Sequence, residues 1–166
     1  MQEKAKLSDL AYVKLKEMIL NNTFKSGEHL EEASLCDLLG ISRTPLREAI
    51  NRLVNEQLLL AVPQKGIFIP EMSLQTVSEL FQARKLIEPM IIMLSSKNMS
   101  KPTLLDFREK TINLVNDQDI ISLHKLDYDF HSYINANCKN QYILQTAVFL
   151  TDQFQRVRTQ DFYPAE

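Results

Sequence analysis

The chain has 166 residues, 45% of them hydrophobic and 24% charged, with 19 Lys/Arg against 21 Asp/Glu and a formal net charge of −2. That length can bury a real core and hold one large or two small domains. No apolar run approaches the ~18 residues of a membrane span, no charge block or low-complexity tract marks disorder, and a near-neutral first 72 residues argue against a non-specific polyanion binder while leaving room for a reader with only its docking face positive.

The opening, Met1 to Lys6, leads into a polar helix pattern with no signal-peptide core, so a cytoplasmic protein is expected. Cys36 and Cys138 lie far apart in no CxxC pattern and read as small buried thiols in a reducing compartment. A first helix is expected from Ser8 or Asp9 to about Asn21, with Leu10, Tyr12, Leu15, Met18 and Ile19 on its apolar side. Asn22, Ser26 and Gly27 punctuate its end. The second helix runs from about Glu31 to Leu39, burying Leu35, Leu38 and Leu39, and Gly40 is placed as its left-handed stop.

Ser42 then serves as N-cap of a third helix, and Pro45 falls in its first turn, where a missing amide proton costs nothing. Leu46, Ala49, Ile50, Leu53 and Val54 make one continuous packing face. The opposite side carries Arg43, Thr44, Arg47, Glu48 and Asn51, with Arg43, Arg47 and Asn51 lined up at steps of four. Arginine forks pair with guanine O6/N7 or with phosphate, and asparagine pairs with adenine. A threonine at a helix start hydrogen-bonds phosphate with help from the helix N-terminus. Any surface helix can show arginines opposite its apolar stripe, so the helix alone leaves both readings open. The adjoining segment weighs on the DNA side: apolar Leu58–Val62 and Ile67–Pro70 flank a turn holding Lys65 and Gly66. That is a hairpin, and in this position a wing whose tip can approach the DNA backbone or minor groove.

The motif Ser42-Arg43-Thr44-Pro45-Leu46-Arg47-Glu48-Ala49, with Gly27 before Leu30, then Leu35, Leu38-Leu39-Gly40-Ile41, Leu53 and Gly66-Ile67-Phe68, resembles the winged-helix domain of the GntR family of bacterial transcription regulators. The resemblance covers residues 8–70 and implies DNA contact by Arg43, Thr44, Arg47 and the wing tip at Lys65-Gly66. Gln57 departs from it. The family usually has glycine there, so that helix end is expected to close differently.

From Ser73 the pattern is helical almost throughout: a long helix to about Ser95 that Pro89 should kink, one from Ser100-Lys101-Pro102 to about Asn116, one from Asp119 to about Asn137, and one from Gln141 to about Gln160. Met90 to Leu94 are apolar all round, as in a buried central helix. Leu80-Phe81-Gln82-Ala83-Arg84-Lys85-Leu86-Ile87-Glu88-Pro89 and Asp127-Tyr128-Asp129-Phe130-His131, with Asn140 after them, resemble the helical C-terminal domain of the FadR subfamily, the FCD domain. In many such domains an aspartate and a histidine four residues later bind a divalent metal of the zinc or nickel class, joined by histidines of later helices, and small carboxylates bind in the cavity. The resemblance therefore implies metal binding at Asp127 and His131, whose i, i+4 spacing puts them on one helix face. Without it, such a pair is commonly only a helix-stabilising contact. Arg84 is placed to meet an anionic effector or to sit in a salt bridge. His124 shares the helix of His131 at no family ligand place, and further histidines would lie beyond Glu166; the domain is expected to be incomplete.

The expected protein is mainly α: a winged helix-turn-helix over residues 1–71 that binds a palindromic operator in double-stranded DNA, then a helical FCD-like bundle over residues 73–166 that dimerises and senses a small acid. No membrane association is expected. A metal-dependent enzyme on the Asp127/His131 helix is a weaker reading, since no Ser/His/Asp set, activated cysteine or well-placed glutamate base accompanies it. A winged-helix adaptor that binds only proteins is the other alternative.

Overall fold

The computed structural model describes residues 2–159. The chain divides into two compact units, one made of the residues up to Ser73 together with Thr159 and one spanning Leu74–Arg158. In the first unit the order is α1 (Gln2–Leu20), β1 (His29–Leu30), α2 (Glu32–Leu39), α3 (Arg43–Asn55), β2 (Leu60–Val62) and β3 (Gly66–Phe68).

Helix α1 starts six residues earlier than its capping signal at Ser8 indicates. Residues 2–7 are all helix formers with no breaker between them, so nothing stops the helix from extending backwards. Its buried line is Ala11, Leu15 and Ile19, one residue per turn, while the expected Leu10 faces solvent. A residue next to that line sits about 100° round the helix, off the packed face. Likewise α2 buries Leu35 but leaves Leu38 exposed, because so short a helix presents only one side to its neighbours. Gly40 does end α2 in the left-handed conformation, at φ 66° and ψ 35°.

Helix α3 packs through Leu46, Ala49, Ile50 and Leu53, all buried. Ser42 occupies its N-cap position in extended conformation, although its hydroxyl makes no cap hydrogen bond. The helix end corrects the sequence expectation. Gln57 takes φ 56°, its N–H bonds to the Val54 carbonyl at 3.0 Å, and the Leu58 N–H bonds to the Leu53 carbonyl at 2.9 Å. This is the Schellman closure that glycine normally supports. Glutamine is thus held where an L-side chain is strained by about 1–2 kcal/mol. Leu53 and Leu58 are both fully buried, at the two positions where an apolar contact commonly accompanies such a turn. We expect Gln57→Gly to stabilise this unit by about 1 kcal/mol, read as a higher urea midpoint with unchanged slope.

The wing forms as expected, with one addition. Strand β1, which the sequence shows only as loop punctuation, pairs antiparallel with β3, giving the order β1-β3-β2. Leu30 and Ile67 face the core, and the His29 ring lies 4.9 Å from that of Phe68 on the other face. The turn places Pro63 before Gln64 at φ 62°, and the Lys65 N–H bonds to the Val62 carbonyl at 3.0 Å. That is a type II turn, with proline setting the first corner.

The second unit holds α4 (Leu74–Ser95), a 3-10 turn (Ser96–Asn98), α5 (Lys101–Asn116), α6 (Ile120–Ala136) and α7 (Gln141–Thr159). Helix α4 continues through Pro89 without a break. Asp119 caps α6 by accepting the Ser122 N–H at 3.0 Å, and Asn140 accepts the Tyr142 and Ile143 amides ahead of α7. The core is Ile91, Ile134 and Ala147, with Ile87, Met99, Phe130 and Ile143 against it. Phe107 of α5 packs edge-on to Phe130 at 5.2 Å. Of the apolar run Met90 to Leu94, only Ile91 is buried; Met90, Ile92 and Met93 are exposed. The expectation of a fully buried helix fails here because the neighbouring helices of this unit cover α4 on one side only. No helix among the described residues is long and apolar enough to cross a membrane.

Candidate functional sites

The first site is the outer side of α3 with the wing. Arg43, Thr44, Arg47, Glu48 and Asn51 are all exposed, opposite the buried Leu46, Ala49, Ile50 and Leu53. Arg43, Arg47 and Asn51 are therefore stacked at one-turn intervals on a rod anchored by its other flank. Arg52 belongs to a different group. Its Nη1 is 2.6 Å from Asp9 Oδ1, and its guanidinium lies 3.9 Å over the Tyr12 ring. The Tyr12 hydroxyl meanwhile donates to Glu56 at 2.8 Å. These contacts fasten α3 to α1. Burial, with the hydrogen bond to Glu56, raises the Tyr12 pKa above its ordinary value, against the lowering effect of Lys16.

Lys65 and Gly66 sit exposed at the wing turn. Gly66 has φ 108°, and a β-carbon there would collide with Nε2 of His29. Only glycine suits both the backbone angle and the close approach of the imidazole. The sequence does not single out His29, since its contact depends on the β1–β3 pairing.

Arg47, on the exposed line, makes an ion pair to another helix: its Nε–H donates to Glu32 Oε2 at 2.8 Å. Glu32 lies in the first turn of α2. No sequence pattern marks this pair, because the two residues are fifteen positions apart on helices whose angle only the fold sets.

The second site lies inside the second unit. Arg84 and Glu88 are one turn apart on α4, Asp127 and His131 one turn apart on α6, and Phe154 and Arg158 come from α7. The Arg84 Nε–H donates to both Glu88 oxygens, at 3.0 and 3.1 Å. Arg84 Nη2 lies 2.6 Å from His131 Nε2, and His131 Nδ1 lies 2.9 Å from Glu88 Oε1. Which ring nitrogen donates depends on the tautomer: a ring that donates from Nδ1 to Glu88 can accept at Nε2 from the arginine. Arg158 pairs with Asp127, and the Arg84 guanidinium stacks 4.4 Å from the Phe154 ring. Ile91, Ile134, Ala147 and Leu150 form the apolar floor of a small cavity between these groups.

Burial pushes the Glu88 carboxyl up, but hydrogen bonds and charge from His131 and Arg84 outweigh it and bring its pKa to about 2. Burial lowers the Arg158 pKa, against the raising effect of Asp127. A carboxyl whose folded pKa is depressed contributes stability that is complete above its ordinary pKa and is lost as pH falls toward the folded value. Here that window runs from about 4.5 down to about 2. For a side chain 28% exposed, the contribution is at most roughly 3 kcal/mol. In chelator-treated protein, Glu88→Gln is expected to lower the urea midpoint at pH 7 and to flatten its fall between pH 6 and pH 3.

The metal expectation meets a mixed result. His131 Nε2 and Asp127 Oδ2 converge, 3.6 Å apart, and Glu88 orients the ring from behind as a metal-bound histidine requires. Yet guanidinium nitrogens of Arg84 and Arg158 already face those two donor atoms. Among the described residues, no group of three His, Cys, Asp or Glu is placed to hold a metal ion, and His124 does not join the pair. Two donors capped by cations do not fit a divalent metal. Cys36 and Cys138 are free thiols, the first half-buried and the second buried.

A winged helix-turn-helix, succeeded in the chain by a helical unit with a charge-lined cavity, defines the architecture of a transcription regulator. Residues 7–69 match the gntR family of bacterial regulatory proteins, and residues 79–166 match the FCD domain. The chain belongs to that family, with an FCD domain behind its DNA-binding module, and its domains are those of a regulator and not of an enzyme. It is 34% identical over 140 residues to the uncharacterized HTH-type transcriptional regulator YdhC of Bacillus subtilis, covering 78% of this chain and 62% of that protein. It is 30% identical over 151 residues to the HTH-type transcriptional repressor GlaR of Escherichia coli, covering 87% and 69%. The fold is shared with E. coli McbR/YncC at a TM-score of 0.75 and 22% identity, over 92% of this chain and 74% of that one.

Proposed function

We propose that residues 1–71 bind a palindromic operator in double-stranded DNA and that residues 73–166 sense a small anionic effector and join two copies into a homodimer acting in the cytoplasm. The observation that carries the DNA reading is the exposed line Arg43, Thr44, Arg47 and Asn51 on a helix whose other side is fully packed. Such a helix can enter a major groove without disturbing its core. Lys65, exposed at the wing turn beside Gly66, is placed to contact the adjacent phosphate backbone.

Arg84 and Arg158 are the effector ligands in this reading. Their partners are carboxylates, Glu88 and Asp127, and an incoming carboxylate would exchange with those side chains at the same cationic groups. This supports a small acid as effector and routes nothing through a metal. The exposed Leu86, Met90 and Met93 on α4 support burial against a second copy.

A mobility-shift titration with DNA flanking the protein's own gene tests the first part. The Arg43→Ala, Arg47→Ala double variant should lose that complex while keeping its helical circular dichroism. A protein-only adaptor would show no DNA complex to lose. A thermal-shift series of small carboxylates tests the second part, with Arg84→Met expected to abolish the response.

A further inference from the structure

We propose that Glu32 is a positioning residue for DNA reading, holding the Arg47 guanidinium with its two terminal nitrogens aimed outward. The inference rests on the reading that Arg47 contacts a base.

Arg47 donates through Nε, at 2.8 Å, to a single oxygen of Glu32. A guanidinium carries five N–H donors in a planar fork. Engaging Nε leaves the Nη1/Nη2 edge, which is a complete bidentate donor pair for guanine O6 and N7. The Arg47 side chain is 63% exposed while that of Glu32 is 29% exposed, so the acid lies deeper and the base-reading edge lies further out. Exposed arginines otherwise sample many rotamers, and docking must freeze them. Glu32 is carried by the first turn of α2, whose Leu35 is buried in the core, so its carboxylate is held by the fold and not by the DNA. The ion pair thus sets the side chain's direction before DNA arrives.

An opposite effect is chemically conceivable. A carboxylate beside phosphates repels them, and a partner on Arg47 could compete with the base. The geometry points away from competition, because the bond uses the one nitrogen that an end-on fork does not need.

The test uses the full 166-residue chain and a duplex selected by it from a random pool, with a scrambled duplex of equal length as the non-specific probe. Glu32→Ala should weaken binding to the selected duplex by about 2- to 12-fold, the cost of freezing one long side chain, with scrambled-duplex binding unchanged or slightly tighter. Glu32→Gln, which keeps an acceptor oxygen for Nε–H, should recover most of the affinity. In an Arg47→Ala background, Glu32→Ala should do nothing further. Changing the G·C pair that Arg47 reads should likewise erase the Glu32 effect. Tighter or unchanged binding by Glu32→Ala, beside a clear loss for Arg47→Ala, overturns the positioning role and leaves the DNA reading intact. An unchanged affinity for Arg47→Ala itself overturns the DNA reading instead.

Discussion

Arg47→Ala is expected to weaken operator binding by about 1–3 kcal/mol and to relax preference at one base pair in each half-site. Three structural facts set this apart from an ordinary surface truncation. The side chain is exposed on the outer line of α3, its stem needs no partner in the core, and its ion pair with Glu32 leaves the terminal fork open. Removing it should therefore leave the urea midpoint within about 0.5 kcal/mol of the parent. Arg52→Ala is the matched control from the same helix. Arg52 is bound to Asp9 and stacked on Tyr12, so its loss should register in stability and not in base preference. Lys65→Ala, at the wing, should weaken binding evenly across sequences and reduce the salt slope by about one. A titration in which Arg47→Ala and Arg52→Ala cannot be told apart would remove the base-reading assignment.

The helix-turn-helix was legible in the sequence because its rules are local. Gly40 stops α2 through its own left-handed backbone, Ser42 stands at the α3 N-cap, and the α3 packing face comes from helical spacing alone. Four helices after Ser73 were legible for the same reason, two of them through Ser100 and Asp119 at their starts; the capping by Asn140 ahead of α7 was not. What could not be read depends on which elements meet. Strand β1 is two residues long and exists only because β3 lies beside it. Leu10 and Leu38 are apolar yet exposed, since spacing marks a greasy side without saying how much of it is covered. Asp127, His131 and Arg84 were found from family spacing, but Arg158 reaches them from α7, thirty-one residues beyond Asp127, and no local pattern announces that. The Glu88 bond to His131 joins α4 to α6, and no local pattern announces it either. Gln57 shows the reverse case: the residue departs from the expected type, yet the backbone keeps the glycine conformation because Leu53 and Leu58 hold the turn shut.

That clamp makes Leu53 the position where truncation should matter most. Leu53→Ala is expected to destabilise the first unit by about 2–5 kcal/mol, lowering the midpoint of its thermal transition by at least about 8 °C. Leu53 is completely buried, as are Leu15, Leu46 and Leu58, so the lost methyls leave a cavity that a close-packed shell refills poorly. The same residue anchors the Schellman turn, where its carbonyl accepts both the Leu58 and Leu59 amides, at 2.9 and 3.2 Å. Those two bonds are backbone bonds and survive the substitution, but the buried side chain beside them does not. Release of the turn also frees Gln57 from its strained angle, which adds an incentive to unravel the last turn of α3. Arg43, Arg47 and Asn51 project from the other side of that rod. DNA affinity should therefore fall only in proportion to the folded fraction, and should return to the parent value once binding is measured well below the transition. Full affinity loss in a demonstrably folded Leu53→Ala protein would mean that this packing face also sets the direction of the reading line, and not only its stability.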